Sequence, residues 1–175
     1  MELKIDRLAS PIGTILLVFD DAGLRALDFG DHEPRLQHFL KRHYGPCTLK
    51  TSSSPRDISR RIEAYFEGEP NALDGIPLET GGTPFQRKVW AALRKIRFGE
   101  TTSYGELAAR IGKPSACRAV GLANGANPIA IVVPCHRVIG SDGTLTGYGG
   151  GLERKRWLLQ HEGAAFVAPK PAAAA

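Results

Sequence analysis

The 175-residue chain is poor in sulfur, with three cysteines and one methionine. Cys47, Cys117 and Cys135 are odd in number and no two stand in C-x-x-C spacing, which argues against a disulfide framework or a zinc ribbon and leaves at least one thiol free. Long apolar runs are also missing. None approaches the roughly eighteen residues a membrane helix needs, so no membrane partner is expected. The opening MELKIDRLAS lacks the basic and apolar segments of a secretory leader, and the expected address is the cytoplasm. Metal ligands are scarce too: the first half offers only Cys47 with the scattered His32, His38 and His43, poor spacing for zinc. No metal and no cofactor are expected, and stoichiometric zinc in the purified protein would overturn that.

Acid is scarce in one half only. Residues 1–83 carry 10 Lys/Arg against 13 Asp/Glu, whereas residues 84–165 carry 12 against 5. The basic half is the candidate nucleic-acid binder, ordinary solvated surface charge being the alternative. Turn residues and apolar alternation predict strands over 3–8, 12–19 and 24–29, then helices beginning at Pro34 and after Pro55, with residues 76–78 as one more candidate strand. The Gly- and Pro-rich stretch 68–82 separates this α/β unit, residues 1–80, from a second unit, residues 81–165. In the second unit Thr83 caps a helix over 84–96 with Pro84 at its first position and Val89, Trp90, Leu93 and Ile96 on one face. Ser103 caps a helix over 104–111, and Gly112-Lys113-Pro114 separates it from a third over 115–124, a helix-turn-helix pattern. The apolar IAIVVP after Pro128 reads as a short buried strand, residues 140–151 as a Gly-rich loop, and 152–161 as a final helix. The alanine-rich residues 166–175 read as a disordered tail. The fold class expected is α+β, a small sheet-plus-helix domain followed by a mainly helical one with a short strand at its active site.

Cys135 beside His136 has the composition of an activated nucleophile, because the thiolate is the reactive form and a basic neighbour promotes it; a buried structural thiol is the alternative. Adjacent residues of an extended chain point to opposite sides, so the two need a bend or a bridging water. Of the few acids in the second half, Glu162 is the candidate to orient the imidazole.

Pro134-Cys135-His136-Arg137-Val138, together with TPFQRKVW at 83–90, SYGELA at 103–108, RAVG at 118–121, Asn127-Pro128 and GYGGGLERK at 147–155, resembles in order the active-site domain of the O6-alkylguanine-DNA alkyltransferases (methylated-DNA–protein-cysteine methyltransferases). Residues 84–163 match closely, the first half loosely. The resemblance implies a ribonuclease H-like first domain and direct-reversal repair. The partner would be double-stranded DNA bearing O6-alkylguanine, with O4-alkylthymine a further substrate. The lesion is met through the minor groove by a monomer, and cooperative loading is left open. It implies that Cys135 accepts the alkyl group irreversibly after base flipping, that His136 removes its proton through a water, that Glu162 holds His136, that Asn127 braces the turn before the active-site strand, and that Tyr104 donates to N3 of the flipped guanine. Arg118 would enter the base stack, with Ser115, Ala119, Gly121 and Asn124 as further DNA contacts. Tyr148 and Gly149 amides would meet the guanine O6, main-chain groups near Val138 its exocyclic amine, and Lys155 would lie near the pocket or be merely solvated. Some relatives carry serine at the position of Gly149, so the loop here is expected to leave room for bulkier alkyl groups.

Three other functions fit parts of this pattern. An alkyltransferase-like protein that binds lesions without transfer lacks the motif cysteine, which is present here. A cysteine hydrolase regenerates its thiol at each turnover, and a transcriptional regulator binds one DNA sequence.

Overall fold

The computed structural model describes residues 1–167. β1 (Glu2–Leu8), β2 (Ile15–Asp20) and β3 (Gly23–Phe29) pair antiparallel in succession, and β4 (Thr48–Thr51) lies parallel beside β1, giving the order β3-β2-β1-β4. Between them run α1 (Glu33–Tyr44) and, after β4, α2 (Arg56–Phe66). β2 is buried along its whole apolar run, because the sheet is covered on both faces. Leu16 and Val18 pack with Leu3, Ile5 and Ala26 against Leu36 and Leu40 of α1. Ile15, Leu17 and Phe19, with Leu24, Leu27 and Phe29, enter a larger core that also takes Ile58, Ile62 and Tyr65 of α2.

The second half supplies α3 (Pro84–Leu93), α4 (Tyr104–Arg110), α5 (Cys117–Gly125) and α6 (Leu152–His161), with a two-residue parallel pair formed by β5 (Thr102–Ser103) and β6 (Val138–Ile139). The expected capping is present: Thr83 with Gln86 and Ser103 with Glu106 each form a capping box, satisfying two end donors reciprocally. Val89, Trp90 and Leu93 of α3 join the same core as β2 and β3, so the two halves share apolar burial across the 68–82 connection. Among the described residues no helix is long and apolar enough to cross a membrane.

The α+β class is as expected; several details differ. β2 begins at Ile15 rather than residue 12, after a turn in which Gly13 has φ of 106°. α3 ends at Leu93, where Lys95 and Ile96 amides bond back three residues in a tightening turn. α5 starts at Cys117, because residues 113–116 close a turn of their own, Ala116 N–H to Lys113 O at 2.9 Å. Residues 76–78 contribute a bridge from Leu78 to Leu24, and Gly23 permits the approach: a Cβ there would lie 2.5 Å from the Pro77 carbonyl. β4, a short polar edge strand, gives no sequence signal. Phe166 packs against Ile139, Leu159 and Ala164, and the exposed Val167 donates its N–H to Gly143 O at 2.8 Å, so the paired chain runs past residue 165; the rest of the expected tail, 168–175, lies outside the described residues.

The largest correction concerns residues 129–133. They form no strand but a chain of tight turns, with Ile131 at φ of 70°. A β-branched residue in the left-handed region is costly and persists only where its surroundings over-determine it. Here Asn127 clamps the turn, its Nδ2 donating to Val133 O at 2.8 Å and its Oδ1 accepting from Ile129 N–H at 3.0 Å. The open edge of β3 holds it from the other side, with Leu27 N–H to Pro128 O and Ala130 N–H to Leu27 O, both 3.0 Å. The first domain's sheet edge thus helps to anchor the segment that carries Cys135.

Candidate active site

Immediately after this clamped turn, Cys135–Arg137 make a single turn of 3-10 helix. That bend resolves the strand geometry that would point Cys135 and His136 to opposite sides. Cys135 lines a cavity of about 300 Å³ whose walls include Tyr104 at the start of α4, Asn124 of α5, the loop residues 147–150, and Asp28 and Arg35 from the first half.

Beneath Cys135, His136 is wholly buried and its Nε2 lies 2.8 Å from Glu162 Oε2. The same oxygen accepts from Tyr65 Oη at 2.6 Å and Arg137 Nη2 at 3.0 Å, while Arg137 Nε donates to Oε1 at 2.7 Å. Burial alone would raise the Glu162 carboxyl, but His136 and Arg137 outweigh it and hold it well below the usual carboxylate range. A permanently ionised Glu162 accepts, so Nε2 carries the imidazole proton and Nδ1 keeps its lone pair. Nδ1 is buried with no protein partner among the described residues. Burial lowers the His136 pKa against the pull of Glu162, and because Arg137 already answers that carboxylate, the imidazole stays neutral. Tyr65 is pushed far up by burial and then by Glu162, which keeps it a donor.

The Cys135 thiol is raised by burial, partly offset by the Asn127 amide and the charges of Lys155 and Arg35. At neutral pH it therefore needs a base to become a thiolate. Lys155, at 0% exposure, is not a solvated residue: its Nζ donates to Val138 O at 2.6 Å, Thr146 O at 3.2 Å and Gly147 O at 3.4 Å, tying the loop to β6. Burial lowers its pKa from 10.5 to about 8. Below about pH 8 both folded and unfolded chains hold this proton and the burial cost is complete. Between about 8 and 10.5 the folded protein sheds a proton the unfolded chain keeps, so Lys155 makes stability rise with pH, by about 3 kcal/mol across the window. Urea unfolding of the native protein and Lys155→Met over that range should give stability curves that diverge by this amount. Parallel curves would mean that Lys155 titrates normally.

The structure brings Cys135, Tyr104, Tyr148, Gly149, Gly121 and Asn124 together around one cavity, with His136, Glu162, Asn127 and Lys155 supporting it. Tyr104 Oη is 2.8 Å from Thr146 Oγ1. Two expected placements are corrected. Asn124, assigned to the DNA surface, is buried with Nδ2 3.4 Å from Cys135 O, because it lies on the inward side of α5. Val138 does not line the cavity; its carbonyl is engaged by Lys155, and its N–H by Cys135 O. Arg118, Ala119 and Ser115 are exposed on or just before α5, away from these interior contacts. Sequence reasoning missed Arg137, Tyr65 and Arg35. Arg137 was visible inside the cysteine motif; Tyr65 looked like one more apolar-face residue. Arg35 pairs with Asp28 through Nε to Oδ2 at 2.8 Å and a second, shorter contact, and its guanidinium occupies the space that a Cβ on Gly149 would need. The room expected from Gly149 is therefore filled from the first domain.

Two family descriptions match the chain: "6-O-methylguanine DNA methyltransferase, ribonuclease-like domain" over residues 5–80 and "6-O-methylguanine DNA methyltransferase, DNA binding domain" over 84–164. The methylated-DNA–protein-cysteine methyltransferase of Salmonella typhimurium is 48% identical over 166 residues, 93% of this chain and 97% of its own length. Among solved structures, Mycobacterium tuberculosis OGT in complex with DNA superposes with a TM-score of 0.77 at 43% identity, covering 93% of both chains. The O6-methylguanine-DNA methyltransferase of Pyrococcus kodakaraensis does so with 0.73 at 27% identity, covering 93% of this chain and 99% of its own. With both domain descriptions matched in order, and a cavity-lining cysteine followed by a histidine paired to a buried glutamate, this chain belongs to the 6-O-methylguanine DNA methyltransferase family.

Proposed function

We propose that this protein repairs alkylated DNA by direct reversal, moving the alkyl group from O6 of an extruded guanine to Cys135. The observation that carries this reading is a buried thiol lining a base-sized cavity, followed in sequence by a neutral histidine whose tautomer is set by a buried carboxylate. His136 Nδ1 takes the Cys135 proton through a bridging water. The sulfur attacks the alkyl carbon, the S–C bond forms as the C–O6 bond breaks, and the electron pair passes into the guanine. Tyr104 Oη supplies a proton toward N3, and the amides of Tyr148 and Gly149 face the developing charge at O6. The product thioether has no good leaving group, so each molecule acts once.

The target atom lies inside the duplex, so the base is extruded at a cost of a few kcal/mol. Arg118 on the exposed face of α5 fills the vacated place, its planar guanidinium both stacking and carrying charge. Repair must tolerate any neighbouring sequence, which fits minor-groove docking with an inserted side chain. A monomer suffices for this chemistry.

The test is intact-protein mass after incubation with a duplex containing one O6-methylguanine. The native protein should gain one methylene mass, saturating at one per molecule, and Cys135→Ser should gain none. Lesion DNA bound but left unchanged by the native protein would instead make this a damage-recognition module.

A further inference from the structure

We infer that α1 of the first domain and the recognition helix α5 together form a cleft for the DNA sugar-phosphate backbone beside the flipped nucleotide. This extends the footprint beyond the residues matched by the DNA-binding family description, and it rests on the repair reading above. A groove runs between the two helices, lined by His38, Phe39 and Arg42 of α1, Phe85 of α3, and Ala119 and Leu122 of α5. Phe39 also lines the Cys135 cavity, so groove and cavity lie side by side with this ring between them.

The chemistry of the walls suits a polyanion. No residue lining the groove is acidic. His38 and Arg42 are exposed on one wall, Lys113 stands over the Phe85 ring at 5.9 Å, and Arg118 is exposed one turn before Leu122. Among the described residues Arg42, Lys113 and Arg118 make no ion pair, whereas Arg35 on the same face of α1 is paired to Asp28. Leu122, 73% exposed, lines the same groove as Arg42, a pairing of apolar and cationic side chains that fits sugar and phosphate better than water. A guanine inserted into the Cys135 cavity carries its own flanking phosphates to the mouth of this groove, which selects duplex DNA over an unrelated acidic ligand.

The experiment is a binding titration over a series of salt concentrations, with a duplex containing O6-methylguanine and the same duplex without it, for the native protein, Arg42→Ala and His38→Ala/Arg42→Glu. Arg42→Ala should weaken binding of both duplexes by a similar factor, about fivefold, and flatten the log–log salt slope by about 1. The double variant should go further, while transfer from the free O6-methylguanine base, which has no phosphate, keeps its native rate. Unchanged affinity and slope would overturn the inference. So would a change in sedimentation of the free protein in place of a DNA effect, which would give the groove to a second copy of the chain. If the native protein transfers no alkyl group, the repair reading fails on its own account, and binding of the lesion-free duplex still decides the groove.

Discussion

Glu162→Gln should both unfold the protein more easily and slow alkyl transfer, each by a large factor. The carboxylate receives four donors, from Tyr65, His136 and twice from Arg137, and the amide offers one oxygen in place of two. At least one buried donor must then face an NH2 group, and the Arg137 guanidinium, 7% exposed, keeps its charge with no counter-charge. Breaking one partner of a buried ion pair costs about 3–5 kcal/mol, which for a chain of this length lowers Tm by roughly 10 °C. Transfer should fall by about 10²-fold or more, because the amide no longer dictates which imidazole nitrogen holds the proton. The two effects are separable. Adding Arg137→Met removes the orphaned charge and should recover part of the stability without recovering the rate, as read by thermal melts and single-turnover transfer at a temperature where all variants are folded. Native-like melting and transfer in Glu162→Gln would defeat this account. The native protein also carries an acid limb that the variant lacks. Because the folded pKa is depressed, the carboxylate's contribution is complete above the ordinary 4.5 and is lost as pH falls from there toward the lower folded value.

Asn127→Ala is expected to cost about 2–4 kcal/mol, since it strands the Ile129 N–H in the interior at about 1–3 kcal/mol and removes the Nδ2 bond to the Val133 carbonyl, worth about 1 kcal/mol more. The damage should reach the nucleophile. Cys135 N–H donates to that same Val133 carbonyl at 2.8 Å, and Ile131 holds its left-handed conformation only while the turn is clamped. A relaxed turn moves the thiol, and a displacement near 1 Å at a reacting centre is worth up to about 10²-fold in rate. Transfer and urea midpoint should therefore fall together. Asn127→Asp keeps the acceptor for Ile129 but sets a carboxylate against the Val133 carbonyl and the thiol, and should transfer no better than the alanine variant. Normal transfer in either variant would show that the clamp is dispensable for chemistry.

Much of this site is legible in the chain order because its signals are local. Thr83 with Gln86 and Ser103 with Glu106 close capping boxes within four residues, and the apolar stripe of α3 repeats at helical spacing, so the helices that frame the cavity are written in short windows. Cys135 and His136 are adjacent, and Glu162 could be chosen because acids are so few in the second half.

What the sequence determined by itself is the set of reactive groups and the helices that carry them. Which polar groups are buried, and against what, was decided by the tertiary structure. Tyr65 reaches Glu162 across 97 positions, Arg35 crosses from the first domain to fill the space above Gly149, Lys155 is buried on three carbonyls, and residues 129–133 turn instead of extending. The physical reason is one of range. Capping and periodicity act over a turn of chain, whereas a buried charge takes its meaning from donors and acceptors that only the packed core brings within 3 Å.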